Sequence, residues 1–474
     1  MRVPIASTPA IRATSVGDAR TPSRRVLMLV SGFPPAREYI LRTVKFSKYL
    51  PEWGWIPIVL TPRAKTRYSL EPLVATPTGV IVNRTPHIPT FSALAAWMRR
   101  GQAGVGNADA LAAGISGVRS RVEAAVRRIV LWGDTPDALA GWIPFAVLTG
   151  WWLARRYRVS AICASGPPFS VVYAGAILSC LTGLPLVADF RDAWSLDSSD
   201  PIGTVTGQFR AQSKARVKLL KRLERWVLGC SRAVLFTSGA TRALYVDEYP
   251  EIETKSHAIY NGADSDDFVG EVPALDRPTV AHIGTLHEFQ WDQVEIFLRG
   301  FARALRNGSV PPETQLIFAG AIGLKLRLRL EASVRDLGIN RSVQLTDFVP
   351  HAQAVRWMRS SRLLLLFVGE NPSIRLSKIS EYVAAGVCML AFAAGKSETA
   401  GEVRLYGGRV LSEASEEAVE AELAVAFSTQ TGGRRGLHTI DHPHPLNRRT
   451  EAQYLADILN RSVALVGAPG GASR

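Results

Sequence analysis

The chain has 474 residues, enough for two or three domains and a large core. Hydrophobic residues make up 47% and charged residues 20%, which excludes a disordered, collagenous or low-complexity chain. The net charge is +15, and residues 1–190 alone hold 22 basic and 9 acidic residues. A basic lobe of this kind suits an anionic partner: nucleic acid, an anionic bilayer or a phosphorylated substrate. Arg outnumbers Lys 46 to 10, so a compositional bias also contributes to the charge.

Residues 1–23 are rich in Arg, Thr, Ser, Pro and Ala and lack the apolar segment of a secretory signal. They read as a disordered tail. Residues 26–30 are a short apolar run closed by Ser31, Gly32, Phe33, Pro34 and Pro35, the pattern of a buried strand and a loop. Residues 39–50 space apolar residues helically, with Arg42, Lys45 and Lys48 between them, and 57–61 are a second β run. Strand, helix, strand makes a βαβ unit and implies a parallel sheet.

Residues 63–135 fit this grammar poorly and read as an irregular basic insertion. Within them, 115–132 has an apolar side studded by Arg119, Arg121, Arg127 and Arg128. The grammar returns with strands at 159–164, 184–189 and 233–237 and a helix at 168–182. Residues 210–226 form a second basic amphipathic segment, with Lys214, Arg216, Lys218, Lys221, Arg222 and Arg225. Each basic segment suits either a helix packed on the sheet with a solvated charged face or one lying on an anionic bilayer.

A stretch with two prolines, 272–278, reads as a linker. After it, strands at 279–283, 315–319, 343–345, 363–367 and 388–392 alternate with helices near 293–305, 324–337, 352–359 and 378–385, a second doubly wound unit. The expected division is a tail (1–23), a first domain (24–272), a second domain (273–445), a final helix (446–465) and a tail (466–474).

Two uncharged stretches, 138–154 and 171–188, invite a membrane reading. Pro144 interrupts the first, and Gly183 and Pro185 split the second, so both are expected to be buried core with no transmembrane helix. The four cysteines lie far apart among apolar residues and read as small buried hydrophobes in a reducing compartment.

In open α/β sheets, ligands bind beyond the carboxyl ends of the strands. Four clusters fall there. The first is Gly32, Phe33, Pro34 and Pro35, a rigid loop. The second joins Ser165, Gly166, Pro167 and Pro168 to Asp189, Phe190, Arg191 and Asp192. There Arg191 either pairs with one of the carboxylates, or one of these charges faces a reacting centre. The third is His282, Ile283, Gly284, Thr285 and Leu286, a strand-glycine-hydroxyl arrangement that suits phosphate. The fourth opens at Ser377 and Lys378. A lysine at a helix start opposes the macrodipole unless an anion sits there, and Glu381 can accept two hydroxyls, as a ribose presents. Asp264, Asp266 and Asp267 mimic a metal motif, but no His or further carboxylate supports it, and the segment reads as a loop.

Together these residues resemble the GT-B-fold glycosyltransferases of the retaining family 4 type, in the bacterial polysaccharide and lipid-linked glycan branch. The resemblance rests on 26–35 with 45–55; Pro136, Asp137 and Trp142; Ser165 to Phe169; Ala188 to Trp194; and Tyr260 to Asp264 with Phe268. It continues through His282 to Leu286, Phe318 to Gly320 and Lys378 to Gly386, covering 24–62 and 134–465. It implies two facing Rossmann-like doubly wound domains with the active site between them, and a last helix crossing back to the first domain. The second domain would hold a nucleotide sugar through Gly284, Thr285, Gly320, Ser377, Lys378 and Glu381. The first would hold the acceptor through Gly32, Pro34, Pro35, Pro167 and Asp189. Arg191, Asp192 and Lys378 would carry the chemistry, with no metal and no cofactor. Three positions depart from the family pattern. The glutamate expected eight residues before Glu381 is Ser373, Gln290 and Trp291 stand where a basic residue often follows the Gly-Thr loop, and a first-domain histidine is replaced by Arg191 or Asp192.

The implied activity is that of a hexosyltransferase. It moves a sugar from a UDP- or GDP-sugar to a lipid-linked or polysaccharide acceptor with retention. It works in the cytoplasm, peripherally held at the inner face of a membrane by the basic lobe. The same fold also suits a nucleotide-sugar epimerase or an inactive subunit. A nucleic-acid partner is not expected, because no aromatic-interleaved basic motif or recognition helix is evident.

Overall fold

The computed structural model describes residues 24–35, 41–63, 75–88, 135–196, 214–369, 375–428, 440 and 443–467. Both tails beyond these bounds, the segment 115–132 with its four arginines, Arg210 and Ser373 lie outside them.

The first sheet has seven strands: β1 (Arg24–Leu29), β2 (Trp55–Pro62), β3 (Ile81–Thr85), β4 (Ala161–Gly166), β5 (Leu186–Phe190), β6 (Ser231–Phe236) and β7 (Ser256–Ala258). All pair in parallel, in the order β3-β2-β1-β4-β5-β6-β7. The central strands read as continuous apolar runs because helices cover both of their faces. On one face lie α2 (Ile143–Arg156), α3 (Ser170–Thr182), α4 (Lys214–Cys230) and α5 (Gly239–Glu248). On the other lie α1 (Leu41–Tyr49) and the last helix, α12 (Arg448–Gly467).

The second sheet has six strands: β8 (Thr279–Ile283), β9 (Gln315–Ala319), β10 (Val343–Thr346), β11 (Leu363–Gly369), β12 (Met389–Ala393) and β13 (Arg409–Leu411). Their order is β10-β9-β8-β11-β12-β13, again parallel. Helices α6 (Trp291–Arg306), α7 (Leu324–Asp336) and α11 (Glu416–Ser428) cover one face, with Phe297, Phe301 and Leu330 fully buried. Helices α8 (His351–Ser360), α9 (Lys378–Ala385) and α10 (Glu398–Leu405) cover the other. The chain therefore folds as two Rossmann-like domains.

The last helix leaves the second domain and packs on the first. Its Ala452, Leu455, Ala456 and Leu459 are fully buried among Val44, Phe46 and Trp55. Its Asn460 accepts from the indole of Trp55 at 3.2 Å, and Arg449 forms a two-pronged pair with Glu52.

Four details differ from the sequence reading. The region 63–135 contains a strand, β3, whose half-buried edge position leaves no continuous apolar run. The stretch 138–154 is only half core. Ala146, Gly150 and Leu153 of α2 are buried, while Leu148, Trp151 and Trp152 face out. Of the cysteines only Cys163 is buried, and exposed Cys180 lies 3.6 Å from Cys230, sulfur to sulfur. Finally, Arg42 and Lys45, which read as polar positions on a helix, are buried.

A candidate donor site in the cleft between two domains

The carboxyl ends of β8 and β11 and the start of α9 build the second domain's side of the cleft. After Ile283 the chain turns at Gly284, whose N–H donates to the Ala319 carbonyl at 2.8 Å. Gly320, at φ +142°, lies directly beneath it: a Cβ there would stand 2.1 Å from the Gly284 carbonyl oxygen. Gly320 is thus buried against the loop and supports it from below; Gly284 is half-buried and Thr285 open. Two backbones approach this closely only where one residue has no side chain.

Lys378 lies over the same loop. Its Cγ and Cε are each 3.7 Å from where a Cβ on Gly284 would stand. Its ammonium contacts the Glu381 carboxylate, one helical turn on. Burial opposes ionisation of Glu381, but Lys378 first, then His351 and Arg448, more than offset it, so the carboxyl lies below its ordinary value. Ser377, the N-cap residue of α9, is exposed and makes no capping hydrogen bond with its side chain. The start of α9 therefore presents a cation and a buried carboxylate to one small space, while the N–H groups of Ile379 and Ser380 turn back to the carbonyls of Leu376 and Ser377, each at 3.3 Å.

Under the loop sits His282. Its Nδ1 is 3.0 Å from the Leu365 carbonyl, and its Nε2, close to Gly284, has no hydrogen-bond partner. Burial pushes its pKa down to about 4, so the ring is neutral at pH 7. The Leu365 contact assigns the proton to Nδ1 and leaves Nε2 as an acceptor.

The first domain's side is built from β1, β4, β5 and β6. Gly32 and Pro34 are buried and Pro35 is exposed; Arg84 holds the carbonyls of Phe33 and Pro34. Asp189 is buried, accepting from Arg42 at 3.2 Å and from Ser165 at 2.7 Å. Arg191 therefore does not pair with Asp189; it donates to the Pro167 carbonyl. Asp192 is open to water at the strand end, yet crowding by protein raises its carboxyl above the ordinary value, against the opposing charge of Arg191.

Two helix starts on this side already carry carboxylates. Asp137 accepts from the Ser170 backbone at 2.8 Å and hydroxyl at 2.7 Å, at the start of α3. At α5 the partner comes from across the cleft: Glu398 of the second domain accepts from the N–H groups of Gly239 and Ala240, at 3.3 and 3.2 Å.

The sequence reading missed the junction between the domains. Asp264 accepts from Lys45 at 2.6 Å, Lys48 at 2.9 Å and Tyr49 at 2.5 Å. Asp267 joins Lys45 at 2.8 Å to His351 of the second domain at 3.1 Å. Burial disfavours the Asp264 charge, but Lys45, then Tyr49 and Lys48, hold its pKa down at about 2. The apparent metal motif is thus an anionic plug for a basic helix face, and no metal-binding cluster occurs among the described residues. A second buried chain runs from Asp189 through Arg42 and Asn261 to Arg448 and Glu451, which receives the Gly262 N–H. The sequence carries part of the signal: cations at 42, 45 and 48 recur at helical spacing and Asp264, Asp266 and Asp267 form an acidic run, but a second run, Asp247 to Glu253, leaves spacing alone unable to say which run pairs with them.

Residues 108–267 match the family model described as Glycosyltransferase Family 4. No curated protein sequence matches the chain. Among solved structures, HepE of Anabaena in complex with UDP and glucose is similar, with a TM-score of 0.54 and 14% identity over 94% of this chain and 99% of its own. Sucrose-phosphate synthase of Thermosynechococcus elongatus gives 0.55 and 14%, over 93% and 98%. A protein of Listeria monocytogenes described as a UDP-N-acetylglucosamine 2-epimerase gives 0.54 and 9%, over 95% and 99%. At these identities the likeness is one of fold.

Proposed function

We propose that this chain, a GT-B-fold glycosyltransferase whose residues 108–267 match family 4, moves a hexose from a UDP- or GDP-sugar to a lipid-linked or polysaccharide acceptor. The observation that carries the reading is the meeting of Gly284, Lys378 and Glu381 at the open start of α9. The open Thr285 side of the loop and the positive end of the α9 dipole receive the diphosphate, and Lys378 supplies the countercharge. Glu381 turns from Lys378 to the ribose hydroxyls. As the sugar–phosphate bond breaks, negative charge grows on the diphosphate, and the same groups stabilise it without metal. The sugar becomes oxocarbenium-like, and the acceptor hydroxyl attacks on the face the diphosphate leaves, so that configuration is retained and the hydroxyl proton passes to the departing diphosphate oxygen. Arg191 and Asp192 present a cation and a carboxylate on the first-domain side. A lipid-linked acceptor places the enzyme at the inner face of the membrane, held peripherally. Among the described residues no helix is long and apolar enough to span one.

Nucleotide release from UDP- and GDP-sugars tests the assignment. Lys378→Ala and Glu381→Ala each abolish turnover; rates like those of the unmodified enzyme in both overturn the site. The epimerase fold neighbour supplies a second outcome: sugar interconversion without any acceptor assigns the same site to that chemistry instead.

A further inference from the structure

The outward face of α2 has no role in the cleft, and its composition is unusual for a water-facing surface. Leu148 is 71% exposed, Trp152 53% and Trp151 41%. They recur at helical spacing and run into exposed Arg155 and Arg156, with the Arg155 guanidinium 3.6 Å above the Trp151 ring. The neighbouring helices continue the pattern: Leu181 at the end of α3 is exposed, and Trp226 of α4 packs against Tyr173 of α3 while remaining partly open. Lys218 and Arg222 of α4 are exposed beside them.

Charge identifies the occupant. Neither α2 nor α3 contains an Asp or Glu, and the one acid of α4, Glu224, is buried. Among the described residues Arg155, Arg156, Lys218 and Arg222 form no ion pair, whereas Lys221 and Arg225, nearer α5, are paired with Glu248 and Glu251. A two-fold pairing of this face with a second copy would set Arg155 and Arg156 against their own images with no acid between them. Residues 89–134, which precede α2, hold six arginines against three acids, so they too are poor partners in charge. An anionic bilayer meets both demands. Tryptophan favours the headgroup layer, and arginine pairs with lipid phosphates while its stem lies along apolar surface.

We infer that the face built by Leu148, Trp151, Trp152, Arg155, Arg156 and Trp226 docks the first domain on an anionic membrane. The inference rests on the peripheral placement proposed above and assigns it to a surface. It brings into that role α2, a helix the sequence reading put in the core, beside Trp226 of the basic segment 210–226.

Co-sedimentation with phosphatidylcholine vesicles, with and without phosphatidylglycerol, tests it on the full chain. The unmodified protein partitions to the anionic vesicles, high salt weakens the binding, and brominated lipid quenches its tryptophan emission. The Trp151→Ala/Trp152→Ala and Arg155→Gln/Arg156→Gln variants each bind at least about ten-fold more weakly. Unchanged thermal midpoints and nucleotide-induced shifts in both verify the fold. Tight anionic-vesicle binding that both variants retain overturns the surface and leaves membrane placement standing. No vesicle binding by the unmodified protein overturns both. A dimer in solution that dissociates in the Trp151→Ala/Trp152→Ala variant assigns the face to self-association and likewise overturns the inference.

Discussion

Both domains turn strand ends and helix starts toward one cleft, yet they treat negative charge oppositely. On the first domain, the starts of α3 and α5 already hold carboxylates, Asp137 and Glu398, on their backbone N–H groups. On the second, the start of α9 carries a lysine and a side chain that caps nothing. Helix starts favour anions, so a start that the protein has filled for itself is removed from the anion-binding inventory. The contrast supports the proposal that a diphosphate binds on the second domain. On that proposal the net charge concentrated in residues 1–190 serves something other than the donor.

The largest expected effect breaks the frame that brings the two sides together. Asp264→Ala removes the buried carboxylate shared by Lys45, Lys48 and Tyr49 and should cost about 3–5 kcal/mol of stability by chemical denaturation. The sign with pH follows from its depressed pKa. The stabilisation is complete above the ordinary carboxylate range and drains away as pH falls toward about 2. The difference between the unmodified protein and Asp264→Asn should therefore shrink on acidification.

Lys378→Ala comes next. It removes the cation of the proposed donor site and should slow nucleotide release by about a hundred-fold or more. It also leaves the buried Glu381 carboxylate without its main partner, so the thermal midpoint should fall, and Lys378→Ala/Glu381→Gln should restore the midpoint but not the rate. Gly320→Ala should couple both readouts at about 2–3 kcal/mol, because the new methyl group meets the Gly284 carbonyl in a backbone conformation other residues avoid. Glu398→Ala should have the smallest effect, about 1 kcal/mol. It empties the α5 start and loosens the contact between domains, which a raised KM with near-normal kcat reports.

These variants also mark what was legible in the sequence. Strand ends could be located because buried parallel strands write themselves as apolar runs, and Gly284, Lys378 and Glu381 followed from helix-start physics. Edge strands β3, β7 and β13 could not, since they are short and half-covered. Burial of Arg42, Lys45 and Asp189 was hidden because each depends on partners far along the chain: Asp189 for Arg42, Asp264 for Lys45. Charge pattern on one helix cannot tell a solvated face from one plugged by distant carboxylates. Gly320 read as a ligand contact because a glycine that supports a loop and one that touches a phosphate look alike in sequence. The outward Leu148, Trp151 and Trp152 were assigned to the core for a related reason: an uncharged helix records that it avoids charge, not what covers its far side.

The central claim is that the second domain alone binds the nucleotide, at the start of α9. Isothermal calorimetry with UDP, GDP and their common sugars, on the unmodified protein, Lys378→Ala and Asp192→Asn, addresses it most directly. The account predicts one nucleotide series that binds, binding lost in Lys378→Ala, and binding kept in Asp192→Asn. Nucleotide affinity that survives in Lys378→Ala but falls in Asp192→Asn would contradict it.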